Sequence, residues 1–154
     1  MYQEKGDQNI IISMGKKLYE ERDYPEGTKI ISEDKENGII QQENSWKGEI
    51  KGFNLFPDGN LQGSGFSFVH NNGVSISHWQ GTFATKDNNI IIPFKGRDIN
   101  KNGRFIVLRT FFSNSYEFLW MDGLVCIAEG KFDSIEKCFI SSGYEWTSKI
   151  DNSK

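Results

Sequence analysis

The side chains best suited to chemistry are ionisable residues set among apolar, strand-like runs. Arg109 interrupts the alternating apolar residues Phe105, Val107 and Phe111, and Glu129 follows a second apolar run. A carboxylate surrounded by aromatic side chains has a raised pKa unless a cation pairs with it. We therefore predict an inward-facing Arg109–Glu129 pair, which could bind the polar end of a ligand or be a purely structural ion pair.

Neither the histidines nor the cysteines form a metal or catalytic motif. The hairpin register described below places His70 and His78 on opposite faces, where they cannot share a metal ion. A contact between His78 and Ser67 is conceivable for catalysis, and an ordinary contact within a sheet is the simpler interpretation. Cys126 and Cys138 lie twelve positions apart without Cys-x-x-Cys spacing, which indicates neither a zinc site nor a disulfide. The sequence predicts no metal and no cofactor.

The glycines predict structure rather than phosphate binding. Gly63-Ser64-Gly65 opens a strand-like run, whereas a phosphate-binding Gly-x-Gly needs a strand before it and a helix after it. Closely spaced glycines let bulky rings lie across bare backbone or bend strands at barrel corners. The glycines to which we assign this role are Gly48, Gly52, Gly63, Gly65 and Gly81.

Length and composition fit one aromatic-rich domain over 1–154. The chain has 154 residues, of which 14% are aromatic, with 12 Phe, 5 Tyr and 4 Trp to build a core of large rings. The net charge of −3 without a basic block excludes a nucleic-acid-binding footprint. No run approaches the ~20 apolar residues of a membrane-spanning helix. Since no signal-peptide pattern opens the chain, we expect a cytoplasmic protein, with 1–8 and 151–154 frayed.

Turn signals recur at short intervals along the chain. Asn-Gly and Asp-Gly pairs, which supply the positive φ angles of tight hairpin loops, occur at 37–38, 58–59, 72–73, 102–103 and 122–123. The runs between them are rich in β-branched and aromatic residues, and only 16–23 is a weak helical candidate. About eight to ten strands at such spacing are typical of an all-β fold, and consecutive hairpins favour a single antiparallel up-and-down barrel.

The hairpin at Asn72-Gly73 allows a residue-by-residue prediction. A two-residue turn there places Phe66, Phe68, Trp79 and Phe83 on one face of the ribbon. Smaller and polar side chains occupy the opposite face. We therefore predict that the four rings point into the barrel.

A second hairpin, around Asp122-Gly123, is apolar on both faces. A two-residue turn there places Trp120 and Glu129 on one face, and the other face holds Leu119, Met121 and Leu124. A strand with one face in water should alternate between apolar and polar residues, so the second face must be covered. We expect either the N-terminal segment or a second subunit to cover it, the latter giving a homo-oligomer through these three residues.

Several motifs together resemble a known group of proteins. They are Ser45-Trp46-Lys47-Gly48, Pro57-Asp58-Gly59, Gly63-Ser64-Gly65, His78-Trp79-Gln80-Gly81, Trp120-Met121-Asp122-Gly123 and Tyr144-Glu145-Trp146. Spanning 46–146, this arrangement resembles a family of small, uncharacterised prokaryotic proteins of calycin-like appearance, the barrel class of lipocalins, fatty-acid-binding proteins and allene oxide cyclases. The chain departs from the family pattern in its polar insert at 97–102. The resemblance implies a calycin-like barrel and transfers no catalytic residue.

Three functions follow from a barrel of this kind. The first is a non-enzymatic protein that binds a small, partly apolar ligand in the interior. The polar groups of that pocket are Arg109 and Glu129, and its apolar lining is Phe66, Trp79, Phe111 and Trp120. The second is a structural or assembly protein with a filled barrel that acts through an oligomer surface. The third is a cofactor-free isomerase or cyclase, a class that leaves almost no sequence signature.

Overall fold

The computed structural model describes residues 14–87 and 89–147, which form a closed antiparallel barrel. Sequential strands are neighbours in the sheet, and the last strand pairs with the first to close the ring. The predicted all-β, up-and-down barrel is therefore confirmed, while the predicted frayed ends, 1–8 and 151–154, lie outside the described residues. The eight strands within those residues are β1 (Met14–Asp34), β2 (Ile39–Gly52), β3 (Gly59–His70), β4 (Val74–Thr85), β5 (Ile91–Lys101), β6 (Arg104–Phe111), β7 (Val125–Asp133) and β8 (Cys138–Trp146).

The two ends of the barrel differ in the length of their connections. At one end, which we call the open end, short loops join β1 to β2, β3 to β4, β5 to β6 and β7 to β8. At the other, the closed end, the connections 53–58, 86–90 and 112–124 are longer. The tips at the open end are linked by backbone hydrogen bonds, including Asn71 N–H to Gly38 O at 2.9 Å and Asn102 N–H to Gly73 O at 3.1 Å. These bonds hold the rim of the open end in place.

The predicted register of the β3–β4 hairpin is wrong by one residue. The loop has three residues, ending at Gly73 with a φ of 87°, so Val69 pairs with Ser75 rather than Ile76. Because side chains alternate between faces, a one-residue shift moves every side chain of one strand to the other face. Phe66 and Phe68 consequently lie on the outer surface, 46% and 38% exposed. The other two rings of the predicted core face, on β4, do point inward.

The prediction that the segment 112–124 forms one half of a hairpin is wrong. The segment is a connection that crosses the closed end of the barrel. It contains a short 3₁₀ helix, Tyr116–Met121. Met121 and Leu124 are buried in the core of this chain, and only Leu119 of the predicted oligomer residues is exposed. The apolar character on both sides of this segment therefore comes from its role as a lid on its own barrel. Among the described residues, no helix is long and apolar enough to cross a membrane.

Strand β1 is the longest strand and forms the seam of the barrel. Its first half, which includes the weak helical candidate 16–23, pairs with β8 as far as Asp23, opposite Phe139. Its second half continues to Asp34 and pairs with β2 alone. The β1–β8 pairing thus closes the barrel from the closed end as far as Asp23, and at the open end β1 extends beyond β8.

Candidate functional site

The half of the interior next to the closed end, here called the closed half, is filled by large apolar side chains. Phe56 enters from the connection between β2 and β3, with its ring centroid 5.2 Å from that of Tyr19 and 5.5 Å from that of Phe111. Burial raises the pKa of the Cys126 thiol to about 12, so this cysteine is an inert part of the same packing. The buried members of the closed half are Leu18, Tyr19, Ile50, Phe56, Leu61, Phe83, Ile92, Phe94, Phe111, Met121, Leu124 and Cys126.

The half next to the open end, here called the open half, contains a cavity of about 310 Å³. The wall combines a few rings with many hydroxyl, amide and carboxyl groups, which a barrel of this size can arrange around one small ligand. Its apolar lining includes Trp46, Trp79, Phe105, Val107 and Phe139. Its polar lining includes Glu21, Asp23, Asn44, Ser67, Ser75, Ser77, Asp98, Asn100 and Arg109.

A buried ion pair forms the floor of the cavity. Arg109 donates two hydrogen bonds to the Glu21 carboxylate, at 3.0 and 2.8 Å, and a third to the Tyr19 hydroxyl at 3.2 Å. Its guanidinium lies 4.7 Å from the Phe94 ring centroid and 4.9 Å from that of Trp79, which are cation–π distances. Burial opposes the charge, but Glu21, Tyr19 and Asp23 together outweigh this effect and raise the pKa of Arg109. Arg109 therefore keeps its charge although it is fully buried.

The floor also has polar atoms without a hydrogen-bond partner. Arg109 uses both terminal nitrogens on Glu21, while its Nε–H, buried beside the cavity, has no acceptor. The Oδ1 atom of Asp23 is likewise buried and unpartnered. Burial, followed by the nearby charge of Glu21, raises the pKa of Asp23 well above its usual value. Such groups are normally satisfied by water or by a ligand.

A row of hydrogen-bonded side chains crosses the wall above the floor. Asn44 donates to the Ser67 hydroxyl at 2.7 Å, and the hydroxyls of Ser67 and Ser77 are also 2.7 Å apart. Ser77 lies directly opposite Asp98 in the β4–β5 pairing. Burial raises the pKa of Asp98, although hydrogen bonds from Ser77 and Trp79 act in the opposite direction. One carboxyl oxygen of Asp98, Oδ1, is buried without a partner.

Two tryptophans provide the flat apolar surface of the cavity. The rings of Trp46 and Trp79 meet edge to face with centroids 5.8 Å apart. Each lies against a glycine of the neighbouring strand: a Cβ atom on Gly63 would be 2.6 Å from Trp46, and one on Gly96 would be 2.3 Å from Trp79. The predicted use of glycine as a bed for rings is confirmed at Gly63, and Gly96 extends it.

Two of the six predicted pocket residues, Trp79 and Arg109, are inward-facing and line the cavity. The prediction for Arg109 is right about an inward ion pair with a glutamate and wrong about which one. Glu129 lies on the outer surface and pairs with Arg104 at 2.7 Å, with both side chains mostly exposed. The difference follows from the pairing of β6 with β7, which sets Glu129 opposite the outward-facing Ile106.

The remaining three predicted pocket residues lie elsewhere. Phe66 points outward because of the register shift. Phe111 is fully buried in the closed half. Trp120 belongs to the 3₁₀ helix over the closed end, where it is 43% exposed and contacts Phe56. Phe111 and Trp120 therefore do not line the open half, and Phe66 borders the cavity as a residue whose side chain points outward.

The prediction that the histidines lie on opposite faces is also wrong. His78 pairs with the outward-facing Phe66, and His70 follows on the same face of β3. Ser67 pairs with Ser77 inside the barrel, so the conceivable His78–Ser67 contact does not form. The same one-residue shift explains both corrections. Within the described residues, no group of three or more His, Cys, Asp or Glu side chains is placed to hold a metal ion.

Sequence reasoning missed the three acids of the cavity. Glu21 and Asp23 follow Tyr19 at the spacing of two residues that puts side chains on one face of a strand. Glu20 and Arg22 stand between them, so no contrast in polarity marked the inward face. Asp98 lies in the polar insert 97–102, whose composition is that of a surface loop.

Comparison with known proteins identifies the fold alone. No family model matches the chain, and no curated protein matches it. Among solved structures, a β-barrel-like protein from Acinetobacter baumannii superposes with a TM-score of 0.72 at 16% identity, covering 89% of this chain and 97% of that one. A protein of unknown function from Clostridium acetobutylicum gives a TM-score of 0.69 at 14% identity, covering 86% and 98%.

A third similar structure is described as an enzyme from Penicillium herquei. It superposes with a TM-score of 0.63 at 16% identity and covers 84% of this chain and 92% of that one. At these identities the likeness is one of architecture, and one fold can hold unrelated functions. The function of this chain must therefore be argued from its own cavity.

Proposed function

We propose that this protein binds a small, partly apolar ligand in the open half of the barrel. The observation that supports this most directly is the cavity of about 310 Å³, into whose wall Arg109, Asp23 and Asp98 each bring an unpartnered buried polar atom. A purely structural interior would satisfy such groups or replace them with apolar side chains. A ligand that combines an apolar body with a hydrogen-bonding group would complete them.

The size and lining of the cavity limit the ligand. Small-molecule sites commonly enclose about 300–1,000 Å³, so this one is at the lower end and suits a molecule of one or two rings. The edge-to-face pair of Trp46 and Trp79 offers a flat apolar surface for such a ring. The polar atoms lie at the floor and along one wall, where they would orient the ligand.

A large side chain placed in the cavity near the open end tests the proposal. Val69 lines the cavity near the open end. Val74, the first residue of β4 and the partner of Lys101, is at the same end and alternates with the cavity-lining Ser75, so its side chain lies on the outer face. We expect saturation-transfer NMR to detect indole binding to the wild type and to Val74→Trp, and to lose it in Val69→Trp. Indole that binds all three proteins equally, or none of them, would contradict binding in the open half.

An assembly function is the second candidate, and a row of apolar residues on the outer surface favours it. The row consists of Phe68, Ile76, Ile99 and Ile106, each paired with the next across adjacent strands and between 38% and 55% exposed. Contiguous exposed apolar side chains often mark a contact surface. If this row joins two copies, light scattering should give a dimer mass that Ile99→Lys reduces to a monomer and that Ile30→Lys, on β1, leaves unchanged. A monomeric wild type would exclude this candidate.

A further inference from the structure

The charges in the wall of the open half point to the chemical class of the ligand. Three acidic side chains, Glu21, Asp23 and Asp98, face the cavity. Arg109 is the only Lys or Arg among the described lining residues. Both of its terminal nitrogens are bonded to Glu21, so its charge is already balanced. The wall therefore holds more acidic than basic side chains.

Asp98 is the acid best placed to meet a ligand. Its partner across the sheet is Val107, and Arg109 is two residues further along β6, at a diagonal position. Diagonal neighbours in a sheet are roughly 7–8 Å apart, so a small molecule can reach both residues. The Oδ1 atom of Asp98 lacks a hydrogen-bond partner, and the adjacent Trp79 presents a ring to the same cavity.

We propose, on the basis of the function proposed above, that the ligand is a small organic amine whose ammonium group binds Asp98 and whose apolar part packs against Trp79 and Trp46. An ammonium group supplies N–H donors to the unpartnered carboxyl oxygen, and charge-assisted hydrogen bonds of this kind are roughly twice as strong as neutral ones. It also gains cation–π attraction from the tryptophan faces, which strengthens as water is excluded.

The same wall disfavours an anionic ligand such as a fatty acid. A carboxylate in this cavity would approach Asp98 and the acids of the floor, and like charges at short distance repel strongly in a poorly solvated site. To use the charge of Arg109 it would have to displace Glu21, which holds that guanidinium through two hydrogen bonds. The free Nε–H of Arg109 is a single donor, suited to a neutral acceptor on the ligand.

Three probes with one indole ring separate these classes: tryptamine, tryptophol and indole-3-acetate, which are cationic, neutral and anionic at pH 7. Titration calorimetry should give the order tryptamine, tryptophol, indole-3-acetate, with on the order of tenfold between the first and the last. Asp98→Asn should remove the advantage of tryptamine and leave tryptophol nearly unchanged. Glu129→Gln, on the outer surface, is the matched control and should leave the order intact.

The outcomes separate this inference from the proposal on which it rests. If indole-3-acetate binds as tightly as tryptamine, or if Asp98→Asn keeps the preference for the amine, the inference is overturned while ligand binding stands. If none of the three probes binds the wild type, ligand binding in the open half is itself overturned. The ranking by the wild type needs no variant, so the test does not depend on Asp98→Asn folding.

Discussion

The closed and open halves of this barrel are built by the same eight strands, yet one is packed with rings and the other is lined by polar groups. The difference begins in the connections. At the closed end they are long enough to insert Phe56, Met121 and Leu124 into the interior. At the open end the loops are short hairpin turns held to one another along the rim. The length of the connections thus decides which half is filled.

The boundary between the halves is the Arg109–Glu21 pair. On the side of the closed half the Arg109 guanidinium contacts the rings of Phe94 and Phe111, and on the side of the open half it borders the cavity. A buried pair of charges is costly to form and costly to break, and it is weak evidence for stability on its own. Its position suggests that the pair serves the cavity, because the packed rings do not need it.

The largest effect should come from the closed half. Phe111→Ala removes a fully buried ring that contacts Phe56, Phe83 and Phe94, and it should lower the free energy of unfolding by about 3–5 kcal/mol. Phe68→Ala, which truncates an exposed ring on the outer surface, is the control and should cost far less. Urea denaturation measures both, and equal losses would mean that the closed half is not the stabilising core.

Breaking the boundary pair should have the next largest effect. Glu21→Gln leaves Arg109 buried without a full counter-charge, and we expect a loss of about 3 kcal/mol in the free energy of unfolding. The loss should lie at the lower end of the usual range because the neighbouring Asp23 can ionise and supply part of the missing charge. Glu20→Gln changes the adjacent exposed residue. A similar loss in both variants would argue against the pair as the boundary.

A smaller effect on stability is expected at Gly96, the glycine against which the Trp79 ring lies in the open half. A Cβ atom at Gly96 would overlap the Trp79 ring, so Gly96→Ala should destabilise by about 1–3 kcal/mol and push the ring into the cavity. Gly27→Ala is the control, since its nearest neighbour would be at 3.6 Å. The tryptophan fluorescence of the protein and its binding of indole should change in the first variant only. Unchanged binding in Gly96→Ala would separate Trp79 from the ligand site.

The carboxyl of Asp98 should make stability depend on pH in the opposite sense to a surface aspartate. Burial raises its pKa in the folded state, so its contribution is fully present below the ordinary aspartate pKa and is lost as the pH rises through the raised value. Asp98→Asn should therefore raise the melting temperature at neutral pH, with a gain that shrinks on acidification. The nearby Glu21, Asp23 and Arg109 are common to both proteins and cancel in the comparison.

Asp133 provides the control of opposite sign for that experiment. Backbone hydrogen bonds from Glu136 and Ile135 lower its pKa, so its contribution is present above the ordinary value and is lost as the pH falls through the lowered one. Asp133→Asn should lower the melting temperature at neutral pH, and that deficit should also shrink on acidification. Variants that shift in the same direction would mean that Asp98 is not buried in an unfavourable environment.

The smallest effect on stability is expected on the outer surface of the barrel. Glu129→Ala removes an exposed ion pair with Arg104 and should change the free energy of unfolding by less than about 1 kcal/mol, as is usual for surface pairs. A large loss would show that Glu129 takes part in the interior network after all.

The fold was predictable because its signals are local. Turn pairs such as Asn102-Gly103 and alternating runs such as Arg104–Phe111 specify strands and hairpins without long-range information. The inward direction of Arg109 followed from the same alternation. Its partner did not, because Glu21 is 88 residues away and only closure of the barrel brings the two together.

The candidate site was predictable only in part, since the length of one loop, two residues or three, decides which side chains line the cavity. A two-residue turn and a three-residue turn at Asn72-Gly73 differ little in sequence, yet they exchange Phe66 for Ser67 as the inward side chain. The sequence therefore did not predict the polar wall of the open half. The segment 112–124 was misassigned for a related reason, because apolar residues at the end of a barrel have the composition of a strand.

The seam between β1 and β8 has a consequence for how the protein behaves in a crowded solution. Beyond Asp23 the second half of β1 is paired on one side only, by β2, within the described residues. Such a strand is a free edge, able to recruit a strand from another molecule and start aggregation. Its sequence guards against this: Pro25 lacks a backbone N–H, two register irregularities interrupt the ladder, and Lys29 and Glu33 place charges along it. The unpaired edge of β1 is thereby kept from acting as a template for strand addition by another molecule.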